Sequence, residues 1–279
     1  MTLDQIALHN LAWLAVAFLI VATLYSMVGH GGGSGYLAVM ALAGFAPHEL
    51  RATALSLNVL VASIALVRFA RAKAFTPSLF WPFVLASVPC AFIGGLIELD
   101  PTVYKIGLGV VLLVAAYRLF MYQPAGGIET TRALPITAAL VIGSVIGLVS
   151  GLIGVGGGIF LSPILLLAHW ATARQTAGIT AAFILANSIA GLLGVMMGSL
   201  QGDAPWPLHP VPIVVWGAAV AVGGFVGSGI GSRRLGHIAL RRMLAVVLVI
   251  AAGKMFLPTS ADTPPTAPPD PSENPTTAT

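Results

Sequence analysis

The chain has 279 residues, of which 57% are hydrophobic and only 8% are charged, and its formal net charge is +4. A soluble domain has about 25% charged residues, so this composition excludes a water-exposed surface and predicts an all-α integral membrane protein in a lipid bilayer. The Lys and Arg residues cluster at predicted helix ends, which gives no indication of a nucleic-acid partner. A single cysteine, Cys90, excludes an intrachain disulfide and a cysteine-based metal site.

Ten apolar segments follow one another along the chain, separated by Pro, Gly and charged residues. Segments of about 20 apolar residues are long enough to span a bilayer. The predicted segments lie at 11–28, 34–46, 52–70, 78–98, 103–122, 135–153, 158–170, 175–200, 211–231 and 238–257. A linker over 123–134 divides them into two groups of five, and a Pro-rich tail at 258–279 reads as disordered.

The two groups of five segments resemble each other. Gly29 to Gly33 aligns with Gly154 to Gly158, and the last segment of each half ends on a similar basic and aromatic pattern. Internal duplication is common in transporters. The sequence therefore predicts two repeats, at 1–122 and 135–257.

Loop charges predict that these repeats are inverted. Cytoplasmic loops carry an excess of Lys and Arg. In the first half, the loop at 71–77 is basic and the loop at 99–102 is acidic; in the second, 201–210 carries one aspartate and 232–241 is basic. Equivalent loops thus lie on opposite sides, which places the linker in the cytoplasm and both termini in the periplasm.

The second segment of each half is unusually short. In the first half its 13 residues reach roughly 20 Å at 1.5 Å each, against a hydrocarbon core of about 30 Å. Two arrangements remain open: each glycine loop tips a re-entrant hairpin, or it joins two spanning helices. The predicted fold has roughly eight full spans plus two short or re-entrant helices.

The glycine-rich loops are the predicted binding site. Three consecutive glycines break a helix, and each loop is followed by a new helix whose N-terminal N–H groups and partial positive charge favour an anion. Inverted repeats bring two such half-helices to one site near the membrane midplane. The alternative is close helix packing through small residues. The predicted loop ligands are Gly29, His30, Gly31, Gly32, Gly33, Ser34, Gly154, Gly156, Gly157 and Gly158.

Polar residues on the third segment of each half are predicted to line the same cavity. Ser56 and Ser63 are seven residues apart, hence on one helical face, and Thr180 and Asn187 occupy the aligned positions. The weaker candidates are Asn58 and Ser188. The alternative role is hydrogen bonding between helices, at about 0.6 kcal/mol.

Three ionisable residues complete the candidate set. His30 is predicted either to bind the substrate or to take a coupling proton, with a neutral histidine bonded to backbone as the alternative. Arg51 and Arg174 stand at the entrances to the third segments, where they attract an anion or serve as snorkelling helix ends.

Motifs of soluble enzymes are absent. A phosphate-binding loop requires Gly-Lys-Ser/Thr, and neither glycine loop contains a lysine. No Gly-x-Ser-x-Gly nucleophile motif and no HExxH zinc motif occur. We therefore predict no catalytic residue, no metal, no cofactor and no enzymatic activity.

The stretch from Gly151 to Pro163, Gly-Leu-Ile-Gly-Val-Gly-Gly-Gly-Ile-Phe-Leu-Ser-Pro, resembles the signature of the sulfite exporter TauE/SafE family. Val28 to Tyr36 is similar to the other copy of that signature. The resemblance covers residues 10–257 and implies a multi-pass protein of the bacterial inner membrane that exports or takes up sulfite, sulfonates such as sulfoacetate, or other sulfur-containing anions.

The expected function is therefore that of a secondary transporter, an exporter of sulfite, thiosulfate or sulfonates that works by alternating access. An uptake carrier for small organic anions, coupled to protons or sodium, is one alternative, and a channel-like pore is another. A non-transporting membrane subunit or an intramembrane enzyme is a third, and the missing nucleophile, metal motif and carboxylate pair count against an enzyme. Sequence alone leaves the direction, the coupling ion and the oligomeric state open.

Overall fold

The computed structural model describes residues 8–27, 29–121, 131–201, 208, 210–231 and 238–256. Within these residues the chain is all-helical. The ten helices are α1 (Leu8–Ser26), α2 (Gly33–Ala43), α3 (Pro47–Arg71), α4 (Pro77–Leu96), α5 (Pro101–Phe120), α6 (Ile136–Ile153), α7 (Gly158–Leu167), α8 (Ala173–Gln201), α9 (Pro210–Gly231) and α10 (Ile238–Phe256). Each corresponds to one of the ten predicted apolar segments.

Helix length separates two classes among the described helices. Six of them, α3, α4, α5, α6, α8 and α9, are long and apolar enough to cross a membrane. By contrast, α2 has 11 residues and α7 has 10, which at 1.5 Å per residue reach about 16 Å, half the thickness of a hydrocarbon core. The chain is therefore a multi-pass membrane protein with two short helices, and the count of eight spans stays a prediction.

Helix starts follow the local chemistry of the chain. Proline opens α3, α4 and α5, where its missing N–H costs no helical hydrogen bond. The Asp100 side chain accepts hydrogen bonds from the N–H groups of Thr102 and Val103, which caps α5. The C-terminal end of α2 is also stabilised, because Lys254 Nζ on α10 donates a hydrogen bond to the Leu42 carbonyl oxygen at 2.7 Å.

The halves of the chain are interlocked. Helix α4 packs along α6, and α9 packs along α1, so the fourth helix of each half lies against the first helix of the other. Helices α3 and α8 pack together, as do α5 and α10. Two repeats that are related by a twofold axis contact each other through equivalent helices, as these four helix pairs do. The inverted orientation of the repeats and their boundaries stay predictions.

Glycine makes the α4–α6 contact possible. Gly143, Gly147 and Gly151 follow one another at four-residue spacing on α6, on one helical face. A Cβ atom on any of them would lie 2.1–2.3 Å from a backbone carbonyl oxygen of α4. Small residues at such an interface let two backbones approach closely in a membrane. These three glycines therefore serve close packing between helices.

Some predicted features lie outside the described residues. They include most of the linker at 123–134, the tail at 258–279 and much of the loops at 201–210 and 232–241. Some of the charged loop residues that predict the orientation of the chain lie in these segments. The periplasmic placement of both termini therefore stays a prediction.

Candidate functional site

Each glycine loop ends one helix and begins a short one. Between α1 and α2, Gly32 precedes the first helical residue with a φ angle of 102°. Between α6 and α7, Gly157 does the same with a φ angle of 80°. A left-handed backbone disfavours every residue with a side chain except Asn and Asp. The glycines are therefore required by the backbone path itself.

The N-termini of α2 and α7 have no side-chain cap. Gly32 and Gly157 occupy the cap positions and make no side-chain hydrogen bond. The first N–H groups of a helix have no acceptor within that helix, and the helix dipole places partial positive charge there. Both short helices thus present donors and positive potential at their glycine loops.

The two loops touch each other. A Cβ atom on Gly33 would lie 2.5 Å from the carbonyl oxygen of Val155, so the start of α2 packs directly on the second loop. Loops that are about 120 residues apart in sequence are therefore in contact, and their joint role in binding stays a prediction.

Helix α3 contributes Asn58 to the contact between the loops. Its Nδ2 donates to the carbonyl oxygen of Val155 at 3.2 Å, which ties the first half of the chain to the second loop. Gly31 and Gly156 also lie against this side chain. Asn58, a weak candidate from sequence, thus reaches both loops.

Helix α8 contributes an apolar contact that sequence reasoning missed. Ile184 packs against Gly31, Gly156 and Gly158, one glycine from the first loop and two from the second. In the sequence, an isoleucine in an apolar helix cannot be distinguished from an ordinary core residue. Only the packing shows that Ile184 contacts both loops.

A chain of hydrogen bonds runs from the first loop into the second half. The Ser162 hydroxyl on α7 lies 3.1 Å from His30 Nε2 and 3.0 Å from the Thr180 hydroxyl. The same Ser162 hydroxyl donates to the Gly158 carbonyl oxygen at 2.9 Å. His30 and Thr180 were predicted for the site, whereas Ser162 was not among the predicted site residues.

Several polar atoms near the loops are fully buried without a partner. The side chains of Asn58, Asn187 and Ser188 have 0% exposure. Asn58 Oδ1, Asn187 Nδ2 and the Ser188 hydroxyl have no hydrogen-bond partner. Ser87 on α4 donates to Asn187 Oδ1 at 2.7 Å. Buried polar groups are normally paired. Asn58 and Ser188 lie against the loop glycines Gly31 and Gly156, and a role for the three residues in binding stays a prediction.

Two tyrosines hold the first loop. The Tyr25 hydroxyl lies 2.8 Å from the Ser34 hydroxyl, and the Tyr36 hydroxyl donates to the Gly31 carbonyl oxygen at 2.8 Å. Both side chains are buried. Their sequence positions resemble those of ordinary core aromatic residues, which is why sequence reasoning passed over them.

Two predicted lining residues bond within their own helix. Ser56 donates to the Ala52 carbonyl oxygen at 2.9 Å, and Ser63 donates to that of Val59 at 2.6 Å. These hydrogen bonds run back along α3 and do not reach a loop. A role for Ser56 and Ser63 in binding stays a prediction.

Both entrance arginines are bonded to helix-end carbonyl groups. The half of Arg51 nearest the backbone packs on Gly154, and its guanidinium donates to carbonyl oxygens of Gly95, Ile97 and Leu152. Only 9% of Arg51 is exposed, so it joins the ends of α4 and α6 rather than standing open at a mouth. The exposed Arg174 donates to the Ala72 carbonyl oxygen. This geometry favours the helix-end alternative for both.

The polar groups at the loops are of one chemical kind. Among the described residues, no group of three His, Cys, Asp or Glu side chains could hold a metal ion. The donors at the loops are backbone N–H groups, hydroxyls, amides and one imidazole, and these groups suit an oxyanion rather than a cation.

Known proteins supply an independent test of the sequence resemblance. The family described as "Sulfite exporter TauE/SafE" matches residues 14–255. The chain is 39% identical over 246 residues to "Probable membrane transporter protein y4hK" of Sinorhizobium fredii (strain NBRC 101917 / NGR234), covering 87% of this chain and 97% of the relative. It is 25% identical over 261 residues to "Probable membrane transporter protein ORF9" of Sinorhizobium sp, covering 91% and 95%. No solved structure matches at a significant level.

The family match extends over both glycine loops and all ten described helices except for parts of α1 and α10. The family and these relatives are membrane transporters and not enzymes, which agrees with the predicted lack of catalysis. The chain belongs to the sulfite exporter TauE/SafE family of membrane transporters.

Proposed function

We propose that this protein is a secondary transporter that exports a small sulfur-containing anion across a bacterial inner membrane. Sulfite, thiosulfate and sulfonates such as sulfoacetate are the candidate substrates, in keeping with the family description. The observation that carries the proposal is the contact of the uncapped N-terminus of α2 with the second glycine loop, which leads into the uncapped N-terminus of α7, beside the unpaired buried polar atoms of Asn58 and Ser188. An anion bound there accepts hydrogen bonds from the backbone and the hydroxyls.

The charge of the site favours weak and reversible binding. A full positive charge inside a membrane is costly, and the guanidinium of Arg51, which packs beside the second loop, is already bonded to carbonyl groups. Partial charges from α2 and α7 attract an anion without such a cost. A substrate held by several neutral donors is released more readily than one held by an ion pair.

Export follows from the membrane potential. Moving one negative charge out of a cell that is negative inside is favourable by about 2.3 kcal/mol per 100 mV. Export therefore requires no coupling ion, whereas uptake would require protons or sodium, and His30 would then be the candidate proton carrier.

Alternating access is the proposed mechanism, with the substrate bound near the membrane midplane. In this mechanism one repeat rocks against the other about the shared glycine site. A channel-like pore would leave an unbroken path through the same loops and would show no exchange between substrates.

Counterflow into proteoliposomes tests the function. Vesicles preloaded with unlabelled sulfite should accumulate labelled sulfite transiently, and competition by external thiosulfate and sulfoacetate shows which of these anions share the site. Taurine and small carboxylates define the limits of the substrate class. Accumulation driven only by carboxylates would refute the sulfur-anion assignment, and flux that does not saturate or exchange would refute a carrier.

Loss of the Ser162 hydroxyl should weaken transport. In Ser162→Ala, His30 and Thr180 lose their common partner, and one buried hydrogen bond contributes about 1 kcal/mol, so we expect transport efficiency to fall about fivefold. Ser144→Ala is the matched control, since the Ser144 hydroxyl donates only along its own helix, to Leu140 at 3.0 Å. Equal initial rates for the two variants would show that the Ser162 chain is not part of the site.

A further inference from the structure

The buried amide of Asn58 has a fixed orientation. Its Nδ2 faces the carbonyl oxygen of Val155, which can only accept a hydrogen bond, so Oδ1 must face the other way. Oδ1 is directed at the first loop, 2.7 Å from the place that a Cβ atom on Gly31 would occupy. The side chain is fully buried and Oδ1 has no partner.

Asn58 Oδ1 is an unpaired hydrogen-bond acceptor beside the first loop. Such an acceptor is unfavourable in a site that binds only anions without a hydrogen to donate. The surrounding groups that favour negative charge are the N-termini of α2 and α7, which supply donors. An oxygen without a hydrogen would be repelled by Asn58 Oδ1. A ligand atom that bears a hydrogen would instead satisfy it, removing the desolvation penalty of a buried, unpaired acceptor.

We propose that the substrate is a singly charged oxyanion that carries a hydrogen-bond donor of its own, and that Asn58 Oδ1 accepts this hydrogen. This inference rests on the proposed function and specifies the chemical form that the site selects. Hydrogensulfite and sulfamate meet the requirement. The dianions of sulfite, thiosulfate and sulfoacetate offer acceptors only and do not, so Asn58 narrows the candidate substrates and is a specificity-determining residue.

Sulfamate and methanesulfonate form a matched pair of probes. Both are singly charged and similar in shape, but sulfamate has an NH₂ group where methanesulfonate has a methyl group. For the wild-type protein in detergent, sulfamate should bind about tenfold more tightly, as expected for one buried acceptor that gains a donor. Binding is measured by titration and, independently, by inhibition of sulfite counterflow.

Two substitutions locate the source of this preference. Asn58→Leu and the smaller Asn58→Ser should both reduce the affinity ratio of sulfamate to methanesulfonate to about one. Ser188→Ala is the control, because the Ser188 hydroxyl can both donate and accept, and its loss should change both affinities alike and leave the ratio at about ten.

The outcomes separate this inference from the proposed function. If sulfite exchanges but wild-type protein binds both probes equally, the selection of a donor is refuted while the transporter stands. A preference that survives in both Asn58 variants also refutes it. If neither probe binds and sulfite does not exchange, the proposed function itself fails.

Discussion

Replacing Gly32 and Gly157 together by leucine should reduce transport to background while leaving the protein inserted in the membrane. Both glycines have left-handed backbones, at φ 102° and 80°, which cost a side chain about 1–2 kcal/mol per residue. A Cβ atom on Gly32 would lie 2.6 Å from the Tyr36 ring, and one on Gly157 would lie 2.8 Å from Ile146. The added side chains would displace both loops and cover the N-termini of α2 and α7.

Gly44→Leu is the control for backbone strain. Gly44 also has a left-handed backbone, at φ 86°, but a Cβ atom there would meet nothing within 4 Å. It ends α2 rather than beginning it. We expect this variant to retain most of its counterflow. Membrane insertion is checked by size-exclusion chromatography of detergent extracts, and full transport by the Gly32/Gly157 double variant would contradict the proposed site.

Gly151→Ala should lower the thermal stability of the protein by several degrees. A Cβ atom there would lie 2.1 Å from the Ala91 carbonyl oxygen and 2.8 Å from the Gly95 nitrogen. Both neighbours are backbone atoms of α4, so no flexible side chain can give way. Forcing one extra carbon into a close-packed contact costs about 1–3 kcal/mol, and the α4–α6 interface would have to open along its length.

Gly217→Ala provides the comparison. This glycine also lies inside a membrane helix, but its nearest neighbour to an added Cβ atom is a Leu60 methyl group at 3.7 Å, an ordinary contact distance. Its unfolding midpoint in detergent should therefore equal or slightly exceed that of the wild type, since alanine favours the helix over glycine. Equal midpoints for the Gly151 and Gly217 variants would show that the α6 stripe is not tightly packed.

Helices were the most predictable feature of this chain. Long apolar runs separated by Pro and Gly determine where a membrane helix begins and ends, because backbone groups in lipid must be bonded within the helix. The short lengths of α2 and α7 were visible in the same pattern. Boundaries shifted by a few residues: α8, for example, begins at Ala173 and ends at Gln201 rather than covering 175–200.

Side-chain roles were less predictable, since a polar residue in an apolar helix can face a neighbour, a cavity or its own backbone. Ser56 and Ser63 fitted the seven-residue spacing of a lining face, yet both bond to their own helix. Asn58 did not fit that spacing and nevertheless reaches both loops. The spacing of polar residues shows which of them share one face of a helix. It does not show which neighbouring helix or loop that face contacts.

Arginine positions show the same limit. Arg51 and Arg174 lie at helix starts, where sequence allows either an open entrance or a helix-end contact. The partners that decide between these roles are carbonyl groups of Gly95, Ile97 and Ala72, which are 44 to 102 residues away in sequence. Such contacts depend on how the helices are packed.

The amino-acid sequence by itself determined the membrane class, the ten apolar segments, the family and the pair of glycine loops. These depend on composition and local backbone preference, which act over a few residues. Only the tertiary structure decided that the loops touch, that Asn58 and Ile184 lie between them, and that Ser162 joins His30 to Thr180. Those contacts join distant parts of the chain, and the close packing of α3, α7 and α8 around the loops fixes them.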